Sequence, residues 1–408
     1  MPDFSPVDYA VPGFVALVLI EMIWARRMRR EAYEPKDTLT SLAFGLGSTV
    51  SGLLFGGAVV ALFLWLWQFR LFDVPWTWWA WGLCFVLDDL AYYWIHRFGH
   101  RVRWFWASHV NHHSSQHYNL STALRQTWTG FLTLGFVFKL PLVLAGLHPE
   151  MIAVCGGINL IYQFWIHTEA IGKMPRWFEA VMNTPSHHRV HHATNPRYLD
   201  TNYAGVFIVW DKLFGTFAEE REPVRYGVTT PVNSFDPLRL QLSWWRLLWA
   251  DARATHSWWD KLRLWWMPTG WRPADVRQRP WPKMGAQVFA CAYPANLKLY
   301  AFIQFLAINA LTLAFLASVK RAAAWEPWLL AVAIVVGCIS LGRLFEGRRL
   351  WRLEAARLLS VALLALAWGA YLAPAQWWVG VTVAGFCLGS LLGLHYLLRV
   401  APFRAVVQ

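Results

Sequence analysis

Two long stretches without a charged residue constrain this chain more than any other feature of its sequence. Thr38–Phe69 and Leu358–Leu398 contain no Asp, Glu, Lys or Arg. A helix crosses the hydrocarbon core of a bilayer with about 20 mostly apolar residues, so each stretch exceeds one crossing. Pro374 should divide the second stretch into a hairpin of two helices, because proline removes a backbone donor. The chain is therefore predicted to be an integral membrane protein.

The composition of the whole chain agrees with this prediction. Of its 408 residues, 57% are hydrophobic and 15% are charged, against about 25% charged in an average soluble domain. We expect an all-α, multi-pass membrane protein of about nine transmembrane helices. The candidate spans are residues 9–25, 43–68, 76–95, 127–147, 151–168, 299–319, 327–342, 358–373 and 377–398.

Basic residues predict the orientation of these spans. With alternating crossings, four groups of arginines fall on one side, which is then cytoplasmic by the positive-inside rule. The groups are Arg26, Arg27, Arg29 and Arg30; Arg97, Arg101 and Arg103; Arg343, Arg348, Arg349, Arg352 and Arg357; and Arg399 and Arg404. Lys320 and Arg321 fall on the other side. We expect the bacterial inner membrane, or the endoplasmic reticulum in a eukaryote, with the N-terminus outside.

The net charge of +13 is expected to attract the membrane surface rather than a soluble partner. Next to apolar spans, basic residues favour anionic lipid headgroups, and nucleic acid is not expected. In residues 169–298, tryptophans alternate with basic residues, which is typical of helices lying in the membrane interface. A cap docked on the membrane without lipid contacts of its own is the alternative. We divide the chain into N-terminal membrane helices (1–75), a catalytic domain (76–298) and a C-terminal bundle (299–408).

Histidine spacing carries the chemistry of the sequence. His96 and His100 form an HxxxH pair, and two HxxHH motifs follow, at 109–113 and 188–192. On a helix, positions i, i+3 and i+4 share one face, so each HxxHH motif should offer three imidazoles to one point. Imidazole binds Zn, Fe, Cu and Ni, and eight imidazoles are too many for one ion. The sequence therefore predicts two metals, held in a histidine-rich di-metal helical cap on the cytoplasmic face.

Other acidic residues and histidines near the spans are sorted into those that could support the metal ligands and those expected to be structural. Asp89 shares a helix face with His96 and His100, so we expect it to accept a hydrogen bond from a ligand imidazole and so support catalysis; a carboxylate wetted at the interface is the alternative. Weaker candidates for such support are Glu169 and Asp200. Glu21 is expected at a helix end near water. His117 and His187 adjoin the motifs and could be supporting or structural, whereas His148, His256 and His395 are expected to be structural or interfacial.

Longer motifs around these histidines resemble a known family. The segments HHSSQHYNLSTALRQ (112–126), YQFWIHTE (162–169), NTPSHHRVHH (183–192) and NYAGVFIVWDKLFGTF (202–217) are similar to the alkylglycerol monooxygenase family, within the fatty acid hydroxylase and sterol desaturase superfamily. The dense resemblance covers residues 85–230. It implies an oxygen-dependent, non-haem di-iron enzyme that cleaves the O-alkyl bond of glyceryl ethers with a tetrahydropterin as reductant.

Carried over by motif, the resemblance implies nine ligands to two irons, which zinc could replace in an isolated sample. They are His96, His100, His109, His112, His113, His167, His188, His191 and His192. The substrate would be a lipid from the bilayer, hydroxylated next to the ether oxygen to release a fatty aldehyde. A fatty-acid, sterol or polar-lipid hydroxylase or desaturase with the same metal site is the alternative enzyme. A metal transporter is less favoured, because transporter ligands lie near the bilayer midplane.

Overall fold

The computed structural model describes residues 6–28, 30–277, 288–289, 295–318, 325–346 and 351–400. Within these ranges the regular structure is helical, apart from three isolated β-bridges. The predicted all-α class is confirmed. Arg29, Lys320, Arg321, Arg348, Arg349 and Arg404, which were used to predict orientation, lie outside the described residues.

The chain forms two compact units. Residues 1–232 and 241–286 make the first, and residues 233–240 and 287–408 make the second. The functional boundaries predicted at residues 75 and 298 stay predictions.

The first unit begins with three long helices and continues with short ones. Helices of this unit are α1 (Pro6–Arg27), α2 (Pro35–Trp67), α3 (Trp78–Arg101), α4 (Arg103–His113), α5 (Leu140–Leu144), α6 (Pro149–Trp165), α7 (Arg176–Val181), α8 (Pro185–His191), α9 (Val209–Leu213), α10 (Pro237–Ala254, whose first turn belongs to the second unit) and α11 (Trp258–Arg263). α3 packs against α4 and α6, and this packing brings three histidine segments together.

The second unit contains four long apolar helices: α12 (Ala295–Ser318), α13 (Glu326–Phe345), α14 (Trp351–Ala367) and α15 (Trp377–Val400). Leu358 and Ala362 of α14 pack on Ala384 and Cys387 of α15. Pro374 begins the short turn between these two helices, as predicted.

Arg357 illustrates where the orientation argument needs correction. Its guanidinium is buried, lies 2.6 Å from Glu354 Oε1 and donates to Gln304 Oε1 at 2.7 Å. Glu354 also accepts from the Tyr300 hydroxyl at 2.8 Å. A paired arginine inside a helix bundle is a packing element, so it does not count toward the positive charge of a loop.

Among the described residues, six helices are long and apolar enough to cross a membrane, rather than nine. They cover Tyr9–Arg27, Pro35–Trp67, Leu297–Ser318, Pro327–Phe345, Trp351–Tyr371 and Pro374–Arg399. α3 is a helix over its predicted span but carries buried Asp88 and Asp89. α6 has 17 residues, which at 1.5 Å per residue is shorter than the hydrocarbon core.

The prediction of one continuous helix over 127–147 is wrong. This segment contains two 3₁₀ turns, Gly130–Thr133 and Gly135–Lys139, followed by α5. Leu134 between the turns has φ of +54°, a left-handed conformation that ends a right-handed helix. Hydropathy identified an apolar segment correctly, but it carries no information about the left-handed residue that interrupts the helix.

Candidate metal centre

Nine buried or half-buried histidines lie in two groups at the junction of α3, α4, α6 and α8. In each group, the nitrogen atoms offered by its members all lie within 4.8 Å of one another. The five-histidine group contains His96, His100, His109, His113 and His191, and the four-histidine group contains His112, His167, His188 and His192. All nine histidines predicted from the motifs are therefore brought together.

Each HxxHH motif divides between the two groups, which corrects the expectation that it converges on one point. On α4, His109 and His113 join the five-histidine group while His112 joins the other. On α8 the first and last histidines of the motif join the four-histidine group while His191 joins the other. Positions i and i+4 differ by about 40° around a helix, whereas i+3 and i+4 differ by about 100°. One helix can therefore face two neighbouring points.

Contacts between ring nitrogens test whether these groups suit metal ions. Nε2 of His109 lies 3.0 Å from Nε2 of His96 and 3.1 Å from Nε2 of His113. In the other group, Nε2 of His188 lies 2.9 Å from Nε2 of His167. Imidazoles bound to one ion at about 2.0–2.1 Å have their nitrogens about 3 Å apart. The spacing is that of ligands around a shared cation.

The opposite ring nitrogens show that several Nε2 atoms carry no hydrogen. Nδ1 of His96, His167 and His191 lies 2.7, 2.7 and 3.0 Å from the carbonyl oxygens of Tyr203, Gln163 and Thr201. A carbonyl oxygen can only accept, so each Nδ1 holds the proton and each Nε2 presents a lone pair. His96 and His191 point these lone pairs into one group and His167 into the other. This is the usual arrangement behind a histidine that ligates a metal.

Burial keeps these imidazoles neutral. The pKa of His112 and of His191 is held well below the ordinary value, first by burial and then by neighbouring imidazoles. Nε2 of His100 is buried without a hydrogen-bond partner in the described part of the chain. A neutral imidazole nitrogen without a hydrogen can give its lone pair to iron or zinc. The residues therefore fit two metal ions.

Asp89 lies near the centre but contacts a different set of atoms from the one predicted. Its carboxylate accepts from Asn159 Nδ2, the backbone N–H groups of Val206 and Phe207, and Trp210 Nε1, at 2.8–3.0 Å. None of these four donors is an imidazole. Asp89 holds a loop, and the carbonyl oxygens of residues 163, 201 and 203 accept from the ligand rings.

The other acidic residues considered from the sequence are Asp200, Glu169 and Glu21, and each has a different set of contacts. Asp200 lies 3.2 Å from Arg101 and 4.0 Å from Nδ1 of His100. Glu169 accepts from the Tyr226 hydroxyl at 2.9 Å. The expectation that Glu21 lies near water is wrong, because it is buried and accepts from the Leu120 N–H at 2.7 Å and from Thr168 Oγ1.

The other histidines lie outside both groups. His117 Nδ1 is 3.2 Å from the Glu31 carbonyl oxygen, and buried His187 packs against Phe217. His148 accepts from the Glu150 N–H at the start of α6, and His395 is exposed on α15. Among the described residues, none of these four histidines belongs to either group of candidate ligands.

Sequence reasoning missed Asp211. Its carboxylate accepts from the backbone N–H groups of Tyr203 and Ala204 at 2.8 Å and from Thr216 Oγ1 at 2.7 Å. Burial raises its pKa to about 6, and these hydrogen bonds oppose the rise. The motif NYAGVFIVWDKLFGTF contains Asp211, but spacing alone gave no reason to select it.

A cavity of about 340 Å³ reaches both groups of histidines. His96, His109, His112 and His167 form part of its wall. Apolar side chains that include Phe14, Ile95, Leu160 and Phe164 line it, with Ser108, Thr127 and Gln163 among the polar ones. Phe14 of α1 stacks on Phe164 of α6 with ring centroids 4.0 Å apart, which closes part of the wall.

Comparison with known proteins agrees with this geometry. The sequence profile of the fatty acid hydroxylase family matches residues 81–216, which include all nine histidines. Human alkylglycerol monooxygenase is 40% identical over 324 residues, which cover 77% of this chain and 71% of the human protein. The chain belongs to the alkylglycerol monooxygenase family.

Further relatives match the chain at similar or lower identity. Alkylglycerol monooxygenase of Xenopus tropicalis is 40% identical over 68% of this chain and 61% of its own length. Human cholesterol 25-hydroxylase is 27% identical over 35% of this chain and 52% of its own length. No solved structure matches the chain.

Proposed function

We propose that the chain is a non-haem di-iron monooxygenase that hydroxylates the ether-linked alkyl carbon of alkylglycerols and releases a fatty aldehyde. The observation that carries this proposal is the apolar cavity, whose wall contains histidines of both groups. A long alkyl chain fits an apolar cavity of this kind, because its burial removes apolar surface from water. Family membership supplies the lipid class, since the relatives at about 40% identity are alkylglycerol monooxygenases.

The nine histidines would hold the metals, with five around one ion and four around the other. Bound iron would supply the activation of O2 and the cleavage of a strong C–H bond. Zinc could occupy the same nitrogens in an isolated sample, because imidazole suits both metals. The resemblance to the family implies a tetrahydropterin as the source of two electrons.

The protein's own residues would bind and orient the lipid. Phe14, Leu160 and Phe164 would contact the alkyl chain along α1 and α6, and Ser108 and Thr127 would lie beside its polar end. Such positioning places one carbon next to the histidines and keeps water away from it. Hydroxylation of the carbon beside the ether oxygen gives a hemiacetal, which collapses to a fatty aldehyde and glycerol.

A second candidate is a fatty-acid, sterol or polar-lipid hydroxylase or desaturase with the same metal site. The similarity to human cholesterol 25-hydroxylase and to an ornithine lipid hydroxylase of Rhizobium tropici favours it. These relatives match about a third of the chain, against 77% for the human alkylglycerol monooxygenase. The ether lipid is therefore the first substrate to test.

We further propose that the active site lies at the cytoplasmic face of the membrane. Arg26 and Arg27 end α1, and Arg97 and Arg101 lie beside the first histidine pair. Basic residues next to spans favour the cytoplasmic side. We place α3 across the membrane, despite its two buried carboxylates, because otherwise Arg97 and Arg101 would lie on the opposite side from Arg26 and Arg27. The segment over 127–147 and α6 are consecutive, so crossing by both or by neither leaves the orientation of the later spans unchanged.

The decisive assay supplies an alkylglycerol, O2 and a tetrahydropterin to the iron-loaded protein in detergent or vesicles. We expect fatty aldehyde that depends on oxygen, with product masses read by mass spectrometry. A parallel panel contains a free fatty acid, a sterol and an amino-acid lipid. A hydroxylated panel lipid without aldehyde would move the assignment to the second candidate, and no oxidised lipid of any kind would refute both.

A further inference from the structure

The loop of residues 201–207 lies against the five-histidine group. Its carbonyl oxygens at Thr201 and Tyr203 accept from Nδ1 of His191 and His96. The Tyr203 ring packs on His100 with centroids 5.3 Å apart. This loop therefore orients three of the five imidazoles, although it contains no regular secondary structure.

Two buried carboxylates hold this loop through its backbone. Asp211 accepts from the N–H groups of Tyr203 and Ala204, and Asp89 accepts from those of Val206 and Phe207. Both carboxylates are fully buried. Of the five backbone N–H groups in residues 203–207, all except that of Gly205 are thereby satisfied by two side chains, as buried backbone groups must be.

The carboxylates also tie the loop to the surrounding helices. Asp89 belongs to α3 and accepts from Asn159 of α6, and Asp211 belongs to α9. Gly205 fits so closely that a Cβ there would lie 2.7 Å from Asn159 Oδ1 and from Asp89 Oδ1. The loop has little room to move relative to α3, which carries His96 and His100.

We propose that Asp211 and Asp89 are positioning residues that set the metal affinity of the five-histidine group. They hold the backbone that carries the Tyr203 carbonyl oxygen, which orients His96. The Thr201 carbonyl oxygen, which orients His191, lies two residues before it in the same loop. Groups that support ligand histidines in this way typically change metal affinity by about 10–100-fold when removed. The inference rests on the proposed metal centre and extends it to one half of that centre.

The four-histidine group is held by different atoms. His167 Nδ1 donates to the Gln163 carbonyl within α6, and the Tyr118 hydroxyl donates to the Ile166 carbonyl at 3.0 Å. The ring of Tyr118 packs on His192 with centroids 5.2 Å apart. Loss of Asp211 should therefore weaken one ion and leave the other in place.

The test measures metal binding rather than turnover. Metal-free full-length protein in detergent is dialysed against a series of buffered free Zn²⁺ concentrations, and bound zinc is counted per chain. The wild-type protein should bind two ions. Asp211→Asn should keep one ion at its wild-type affinity and bind the other about 10–100-fold more weakly. Asp89→Asn should change the same ion.

Matched variants assign the effect to one group. His191→Ala and His188→Ala identify which ion belongs to the five- and four-histidine groups. Asp260→Asn removes a buried carboxylate that pairs with Arg263, and it should leave both affinities unchanged. Should Asp211→Asn fail to fold, Thr216→Val removes one donor to that carboxylate and should give a smaller shift in the same ion.

The outcomes separate the two proposals. Failure of the wild-type protein to bind two ions would refute the proposed metal centre. Two ions in the wild type with an unchanged isotherm for Asp211→Asn would overturn the positioning role. An equal loss of both ions would also overturn it, because general destabilisation does not distinguish the groups.

Discussion

Replacing His191 with alanine is expected to abolish aldehyde release while the protein still inserts in the membrane and folds. His191 Nε2 lies 3.2 Å from His113 Nε2, inside the five-histidine group. Removing it takes away one of the nitrogens that would hold an ion, and oxygen chemistry at a metal depends on that coordination. The apolar helices that span the membrane do not use this side chain. Turnover is measured as oxygen-dependent aldehyde, and folding by thermal unfolding in detergent.

His395→Ala is the matched control, because His395 is exposed on α15 in the second unit. It should keep wild-type turnover and thermal stability. Full activity of the His191 variant on every lipid of the panel would contradict the central role of the histidine groups.

Filling the cavity at Ala123 should be the next largest effect. Ala123 lines the cavity beside Leu124, and it is not one of the nine histidines. In Ala123→Phe the ring would occupy space needed by an alkyl chain, so we expect turnover to fall at least about 10-fold, the cost of roughly 1.4 kcal/mol of lost transition-state stabilisation. Two metals per chain should be retained.

Ala61→Phe makes the same change on an exposed position of α2 and should keep wild-type turnover. Both variants are assayed with alkylglycerols of short and long chains. Undiminished turnover of long chains by Ala123→Phe would show that the lipid binds elsewhere. Equal loss in both variants would point to a general effect of the added ring.

The sequence predicted the membrane class and the chemistry of the centre well, for physical reasons. Histidines at i, i+3 and i+4 follow the period of a helix, so eight of the nine residues could be selected before any fold was available. His167 has no such neighbour, and the family resemblance supplied it. Long uncharged stretches report burial in lipid equally directly. α2 and the α14–α15 hairpin divided at Pro374 follow from this signal.

Other features depend on contacts between distant segments, which one-dimensional patterns do not contain. The division of each HxxHH motif between two groups requires α4 and α8 to face each other across the centre. The Asp89 carboxylate has the helix position predicted for it, but its partners come from residues 159 and 206–210. The left-handed Leu134 breaks a segment that is apolar enough to be a span.

Metal content with X-ray absorption is the measurement that tests the central claim most directly. The claim is that nine histidines in two adjacent groups bind two ions in one chain. Protein purified without added metal and protein loaded with iron should each hold two metals per chain, surrounded mainly by nitrogen at about 2.0–2.2 Å. A single ion per chain, or ions surrounded mainly by oxygen, would contradict the account.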